Sequence, residues 1–350
     1  MAATTFISFW LSNTATAVLM FPVALSLARQ AEVEDNLRKA LVLGVAYSAT
    51  IGGMGTLIGT PPNVFVSSFL HSQYHQTLDF WTWLGIGMPL VAVMLPVTYG
   101  LLVHVMFPLR SRRIPLALGD PAETRWVWCQ LAPGARTTLV VFLFAALAWI
   151  TREWLTGFEL AGTRPLAALS DAGIAVLAAI ALFIWPLAKA HGAALVWDDL
   201  QRLPWGTLLL FGGGLSLAEA IGANGVDALL GQLLAGMPAV PRPVAIATIA
   251  ATVIFVSEVA SNIATAAALT PLLAAAAPSF GLTAVEAAII TALGASSAYM
   301  MPVGTAPNAL AYGSGLISTR EMARTGLVLN LWSIVLITVL GCYALPAHLS

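Results

Sequence analysis

Ser12, Asn13 and Thr14 stand together inside the run SFWLSNTATAVLMFPVALSL at 8–27, with apolar sequence on either side. Ser261 and Asn262 stand inside SEVASNIATAAALTPLLAAA at 257–276. The two runs agree at seven of twenty positions, among them Ser8/Ser257, Ser12/Ser261, Asn13/Asn262, Thr16/Thr265 and Pro22/Pro271. A second echo follows each run, GTPPN at 59–63 and GTAPN at 304–308. Two polar motifs repeated in the same order are an internal repeat. Ser-Asn ahead of a small-residue run is a helix N-cap signature. Proline after Gly-Thr breaks a helix, because it lacks the N–H and drives the preceding residue out of the α region. Each half should therefore carry one helix that starts at its Ser-Asn tip and another that restarts near its Pro-Asn. Four helix N-termini would face one small volume. Paired interruptions in two halves point to a secondary-transporter binding site near the bilayer midplane. Glu258 is the one carboxylate near this core. An intramembrane acid is a functional candidate, and the first suspect if coupling used protons; a loop-bracing or helix-capping role beside the tip is the preferred reading.

The elements that must position these residues are membrane helices. Of 350 residues 59% are hydrophobic and 9% charged, with a mean hydropathy of +0.87; a soluble domain carries roughly 25% charge. The expected fold class is an all-α polytopic membrane protein, with inverted repeats, two re-entrant hairpins and two broken transmembrane helices, of the elevator type. A net charge of −1 without a basic run gives no sign of nucleic-acid binding. Cys129 and Cys342 lack metal-ligand spacing and read as free thiols. Met1 leads almost at once into the polar motif, which is not the pattern of a cleavable signal peptide.

In chain order, 1–108 reads as the remainder of a first repeat: a hairpin, a helix at 40–51 that breaks at Gly52–Gly55, and a span at 84–108. Trp81 and Trp83 read as interface anchors. Residues 109–136 form a cytoplasmic linker. The second repeat, 137–350, has three spans, with Gly212–Gly214 allowing close helix contact. Residues 226–236 look amphipathic and interfacial. A hairpin at 244–277 follows, its first arm too short to cross, then a broken helix at 284–318 and a last span at 327–346. Asp171, Glu219, Asp227 and Glu286 lie near span ends and read as solvated. This topology places twelve of the fifteen Lys and Arg residues on the cytoplasmic side, as the positive-inside rule asks.

SNTAT at 12–16, IGGMGTLIGTPPN at 51–63, SEVASNIAT at 257–265 and PVGTAPNAL at 302–310 resemble the divalent anion/sodium symporter family, and the match spans nearly the whole chain. The resemblance implies a homodimer in the plasma membrane that takes up di- or tricarboxylates or sulfate with sodium, and no enzyme or organic cofactor. The family has further membrane helices ahead of the first hairpin, so by resemblance this chain starts inside it. No Lys or Arg lies in the motif core, so helix N-termini and bound sodium would hold the anion. Carried over by position, the first sodium would meet Ser8, Ser12, Asn13 and the backbone near Gly59. The second would meet Ser257, Asn262 and the backbone at Ala260 and Gly304. Substrate carboxylates would meet Ser12, Asn13, Thr14, Ser261 and Asn262, with Thr60 and Thr305 nearby. Two positions depart from the family pattern. Ile263 stands where the second tip often has Thr and removes one hydrogen bond, which leaves room for sulfate, a tricarboxylate or a smaller anion. Ala306 replaces one proline of the second Pro-Pro-Asn. The remaining alternatives are a sodium-independent exchanger, an arsenite- or citrate-type carrier on the same fold, and an inactive fragment.

Overall fold

The computed structural model describes residues 1–28, 34–109, 133–157, 168–185, 194–203, 205–226 and 240–345, with 159, 164, 166 and 229. Cys129, Asp227, the interior of the expected linker and most of 226–236 lie outside the described residues. All regular structure among the described residues is helical. Among the described residues six helices are long and apolar enough to cross a membrane: Phe80–Met106, Gly134–Arg152, Trp205–Ala223, Arg242–Val259, Asn262–Phe280 and Thr319–Tyr343. The chain is an integral, multi-pass membrane protein.

It divides into two compact units, Met1–Pro115 with Gly206–Ser350, and Leu116–Trp205. The first unit holds both motif copies. In the first copy, α1 (Ala2–Ser8) and α2 (Asn13–Ala28) form a helical hairpin against α3 (Asp35–Gly55). Then come α4 (Pro61–Tyr74) and α5 (Phe80–Gly100), the latter prolonged by a π-turn at Leu101–Met106. The second unit contributes α6 (Pro133–Gly157) and α7 (Asp171–Ile184), with Ser170 capping α7 through Gly173 N at 3.0 Å. The first unit resumes with α8 (Trp205–Ala223). The second copy follows: a hairpin of α9 (Arg242–Val259) and α10 (Asn262–Ala276), then α11 (Ala284–Ala295), α12 (Ala306–Gly313) and α13 (Thr319–Tyr343). The half-helices cross over between copies. α4 packs on α10 and α11, while α12 packs on α2 and α3.

Several elements differ from the sequence expectation. α3 does not break at Gly52–Gly55 but runs through to Gly55. Those glycines make room instead: a methyl on Gly52 would lie 2.5 Å from Thr5 O of α1. Without a Cβ the backbones can approach closely. The break comes at Thr56–Thr60, where Pro61 holds Thr60 extended at φ −146°. Of the Gly212–Gly214 run only Gly214 meets close neighbours among the described residues, Phe65 and Ala267. α12 restarts at Ala306, with Pro307 in its first turn, ahead of Asn308. α9 has 18 residues, about 27 Å of helix against a core of about 30 Å, so its length does not stop it from crossing.

Trp83 is no interface anchor. It is fully buried, and its indole donates to Met54 O at 3.0 Å. Glu286 is buried rather than solvated. It forms a capping box with Thr283 and meets Arg242 at 2.5 Å. Asp171 pairs with Arg152 at 3.0 Å and is partly covered. Thr-x-x-Glu at 283–286 is a capping signature, and it pulls the carboxylate back onto its own helix end.

Candidate functional site

The two tips are built alike. α1 ends at Ser8 and α2 starts at Asn13; α9 ends at Val259 and α10 starts at Asn262. Ser12 Oγ accepts from Ala15 N at 3.3 Å, and Ser261 Oγ accepts from Ala264 N at 3.1 Å. Both serines are side-chain N-caps, which satisfy a donor the helix leaves open.

Behind each tip is a cluster of oxygens. Ser8 Oγ lies 2.6 Å from Ala49 O and 3.2 Å from Asn13 Oδ1. Ser257 Oγ lies 2.6 Å from Ala295 O and 2.9 Å from Asn262 Oδ1. A hydroxyl has one proton, and in each copy the shorter contact to the carbonyl takes it. Two lone-pair oxygens, hydroxyl and amide, are then left facing each other. A small cation satisfies such a pair, and oxygen donors suit a hard one. Gly59 is packed into the first cluster, where a methyl would lie 2.6 Å from Gly53 O and 3.0 Å from Ser8 O. Ala260 is the extended residue that closes the second tip.

The loops ahead of α4 and α12 repeat the same bonds. Asn63 Nδ2 donates to Gly53 O at 3.1 Å and Thr56 O at 2.9 Å. Asn308 Nδ2 donates to Ala298 O at 3.3 Å and Met301 O at 3.1 Å, ten and seven residues back in both cases. Gly59 N reaches Thr56 O at 3.3 Å, as Gly304 N reaches Met301 O at 3.2 Å. Each Pro-Asn asparagine therefore ties the unwound segment shut from inside, where both side chains are fully buried. This role is beyond what the repeated motif alone conveys.

The tips and loops line an open cavity of about 180 Å³. All seven residues expected to meet substrate line it: Ser12, Asn13, Thr14 and Thr60 from the first copy, Ser261, Asn262 and Thr305 from the second. Gly304 and Ile263 line it too, and among the described residues no charged side chain does. Ser8 and Ser257 lie behind it, fully buried. The starts of α2, α4, α10 and α12 all border this space. The cavity thus offers N–H dipoles and hydroxyls to an anion, with an oxygen pair behind each tip. Thr305 Oγ1 caps Asn308 N at 3.2 Å, whereas Thr60 makes no such bond. Glu258 does not line the cavity. It faces the loop before α12 and braces it, which is the loop-bracing role expected beside the tip. Sequence alone places Trp83 at the membrane interface and gives no sign of Asn330; both are buried single residues without a motif.

Residues 1–294 match a family model described as citrate transporter. The sodium-dependent dicarboxylate transporter SdcS of Staphylococcus saprophyticus is 34% identical over 361 residues, 99% of this chain and 68% of its own length. The SdcS proteins of two Staphylococcus aureus strains, NCTC 8325 and COL, are each 34% identical over 358 residues, with the same shares covered. Six long apolar helices, the double motif and these relatives define a plasma-membrane transporter rather than an enzyme. The chain belongs to the divalent anion/sodium symporter family.

Proposed function

We propose that this protein is a secondary active transporter of a small carboxylate anion, driven by sodium. The observation that carries this reading is the paired arrangement behind the tips. In each copy a serine hydroxyl is committed to a carbonyl, and its oxygen faces an asparagine amide oxygen. One sodium would be held by Ser8, Ser12, Asn13 and the backbone at Gly59, the other by Ser257, Asn262 and the backbone at Ala260 and Gly304. Between them the anion would meet Ser12, Asn13, Thr14, Thr60, Ser261, Asn262 and Thr305. Among the described residues no cationic side chain lines the cavity, so the sodium ions supply the charge that the helix N-termini only partly provide. Binding of anion and cation then depends on each other, and that mutual dependence is the root of coupled transport.

The relatives' printed names, sodium-dependent dicarboxylate transporter, support sodium and a dicarboxylate. Ile263 in the cavity wall favours a second reading of the substrate, since the second tip offers one hydroxyl fewer than the first. Citrate, sulfate and smaller anions therefore belong in the same test. The two copies would act as inverted repeats. The hairpins would enter from opposite sides, and the motif unit would move against a scaffold in a homodimer. The positive-inside bias supports this topology, with 1–108 and 137–350 as the two repeats joined by 109–136.

The test is uptake of labelled succinate, citrate and sulfate into proteoliposomes, with and without an inward sodium gradient. Uptake of one carboxylate that needs sodium is the expected result. Uptake indifferent to sodium would replace coupling with exchange, and uptake of sulfate alone would overturn the carboxylate.

A further inference from the structure

Glu258 is 3% exposed and receives four hydrogen bonds. Tyr299 N, Met300 N and Asn330 Nδ2 donate to Oε1 at 2.7, 2.9 and 2.7 Å, and Met301 N donates to Oε2 at 2.8 Å. α11 stops at Ala295, so these three backbone N–H groups have no helical partner. A buried N–H requires one, and the carboxylate supplies it to all three. The matching place in the first copy is apolar. Phe9 follows Ser8 as Glu258 follows Ser257. Gly87 and Gly326 also correspond, because a methyl on either would strike the carbonyl end of its own copy's unwinding segment, at Met54 and Tyr299. Four residues beyond them stand Val91 and Asn330. Phe9 and Val91 close on Gly55, where a methyl would come within 2.7 Å of Phe9 Cε1 and 3.2 Å of Val91 Cγ2. A Glu–Asn pair therefore stands in the second copy where a Phe–Val pair stands in the first.

We propose that Glu258 and Asn330 are positioning residues for cation binding at the second tip, a role that the first tip fills by apolar packing. The connection to the cation is short. Glu258 holds Met301 N, and Met301 O holds Gly304 N at 3.2 Å. A methyl on Gly304 would lie 3.3 Å from Glu258 Oε2, so the carboxylate also lies directly against that backbone. Its negative charge there favours a cation. The inference rests on the cation reading given under Proposed function, with Gly304 as part of the second site.

The experiment uses the full chain in proteoliposomes, with Glu258→Gln, Asn330→Val and the double variant. Three quantities are read: the sodium concentration for half-maximal uptake, the substrate KM at saturating sodium, and amide hydrogen exchange across 296–305. Gln at 258 keeps the shape but presents an N–H toward one of the donors. It should raise the sodium requirement about tenfold or more, the size expected from losing bonds to a charged group. Substrate KM at saturating sodium should change by less than about threefold, and exchange at 299–301 should quicken. Asn330→Val should move the same quantities less. The double variant should resemble Glu258→Gln, because the two residues share one bond. An unchanged sodium requirement in Glu258→Gln, with the wild-type sodium-dependent, would overturn the proposal. So would a rise in substrate KM equal to the rise in sodium requirement. If Glu258→Gln fails to fold, Asn330→Val decides through the same measurements. Wild-type uptake indifferent to sodium would defeat the functional reading itself, and exchange at 299–301 would then still report whether the brace exists.

Discussion

The two motif copies solve one backbone problem by different chemistry. Each must stop a buried helix, cross an irregular segment and restart at a Pro-Asn turn. In the first copy α3 ends eight residues ahead of Asn63; in the second α11 ends thirteen ahead of Asn308. The longer helix leaves fewer open donors, and aromatic and aliphatic side chains suffice around its end: Phe9, Val91 and the indole of Trp83 on Met54 O. The shorter helix exposes three consecutive N–H groups at 299–301, and a buried carboxylate collects them. Irregular backbone at membrane depth is tolerated only where protein satisfies it. A site built by duplication thus need only keep matched the residues proposed as its ligands, Ser8/Ser257 and Asn13/Asn262, while the supporting contacts diverge.

The strongest test of the shared part is Asn13→Ala beside Asn262→Ala. If the asparagine oxygens face cations in both copies, each variant should cut sodium-driven uptake by about a hundredfold or more. That is the scale of losing a charge-assisted contact of about 3 kcal/mol. Loss at one tip with normal uptake at the other would break the equivalence of the copies.

A single matched position gives a sharper contrast. Counted back from the Pro-Asn asparagine, Gly53 and Ala298 correspond. A methyl on Gly53 would overlap Asn13 Oδ1. Gly53→Ala should therefore displace the amide and cost about 1–3 kcal/mol by overpacking, with a matching loss of uptake. Ala298→Gly makes no clash. It removes a buried methyl and adds freedom to the unfolded chain, together about 1–2 kcal/mol, and should leave the amide in place and uptake little changed. Thermal denaturation in detergent, with and without sodium, reads both. Equal effects on uptake would mean that the two loops are packed alike.

The legible part of this architecture was what duplication wrote twice. Ser12-Asn13 and Ser261-Asn262 announced the N-caps, and the prolines announced the restarts. Their order implied that seven separated residues would share one cavity, and they do. Illegible was whatever depends on one contact made once. Gly52–Gly55 looked like a break because glycine weakens a helix, yet the close approach of α1 keeps α3 intact. Trp83 looked like an interface anchor because tryptophan favours the headgroup region. A buried carbonyl in need of a donor outweighed that preference. Glu286 carried a readable capping box at 283–286, but its burial depended on Arg242, 44 residues away.

The cavity walls also differ at matched positions, among them Thr14 and Ile263. Ile263→Thr should make the tips more alike. An added hydroxyl facing a dicarboxylate should lower its KM by about two- to tenfold, with little change for a substrate that never reaches the second tip. Competition of unlabelled succinate against the transported anion measures this. No change in KM for any tested anion would mean that substrate does not touch that wall.

The smallest effect lies where the copies are tied together away from the cavity. Lys39, ahead of the apolar part of α3, meets Glu321 of α13 at 2.8 Å and Asp35 at 3.0 Å. Hydrogen bonds to Glu321 and then Asp35 hold the ammonium above its ordinary value of 10.5. A raised value means that the folded state binds the proton more tightly. The stabilisation is therefore complete below 10.5 and fades only as pH rises through the folded value. Lys39→Met should cost no more than about 1 kcal/mol, as for other solvent-accessible pairs. That deficit should stay constant between pH 6 and pH 9, about the range between the carboxylate and lysine titrations. A deficit that grows within this window would mean that another group links the first copy to α13.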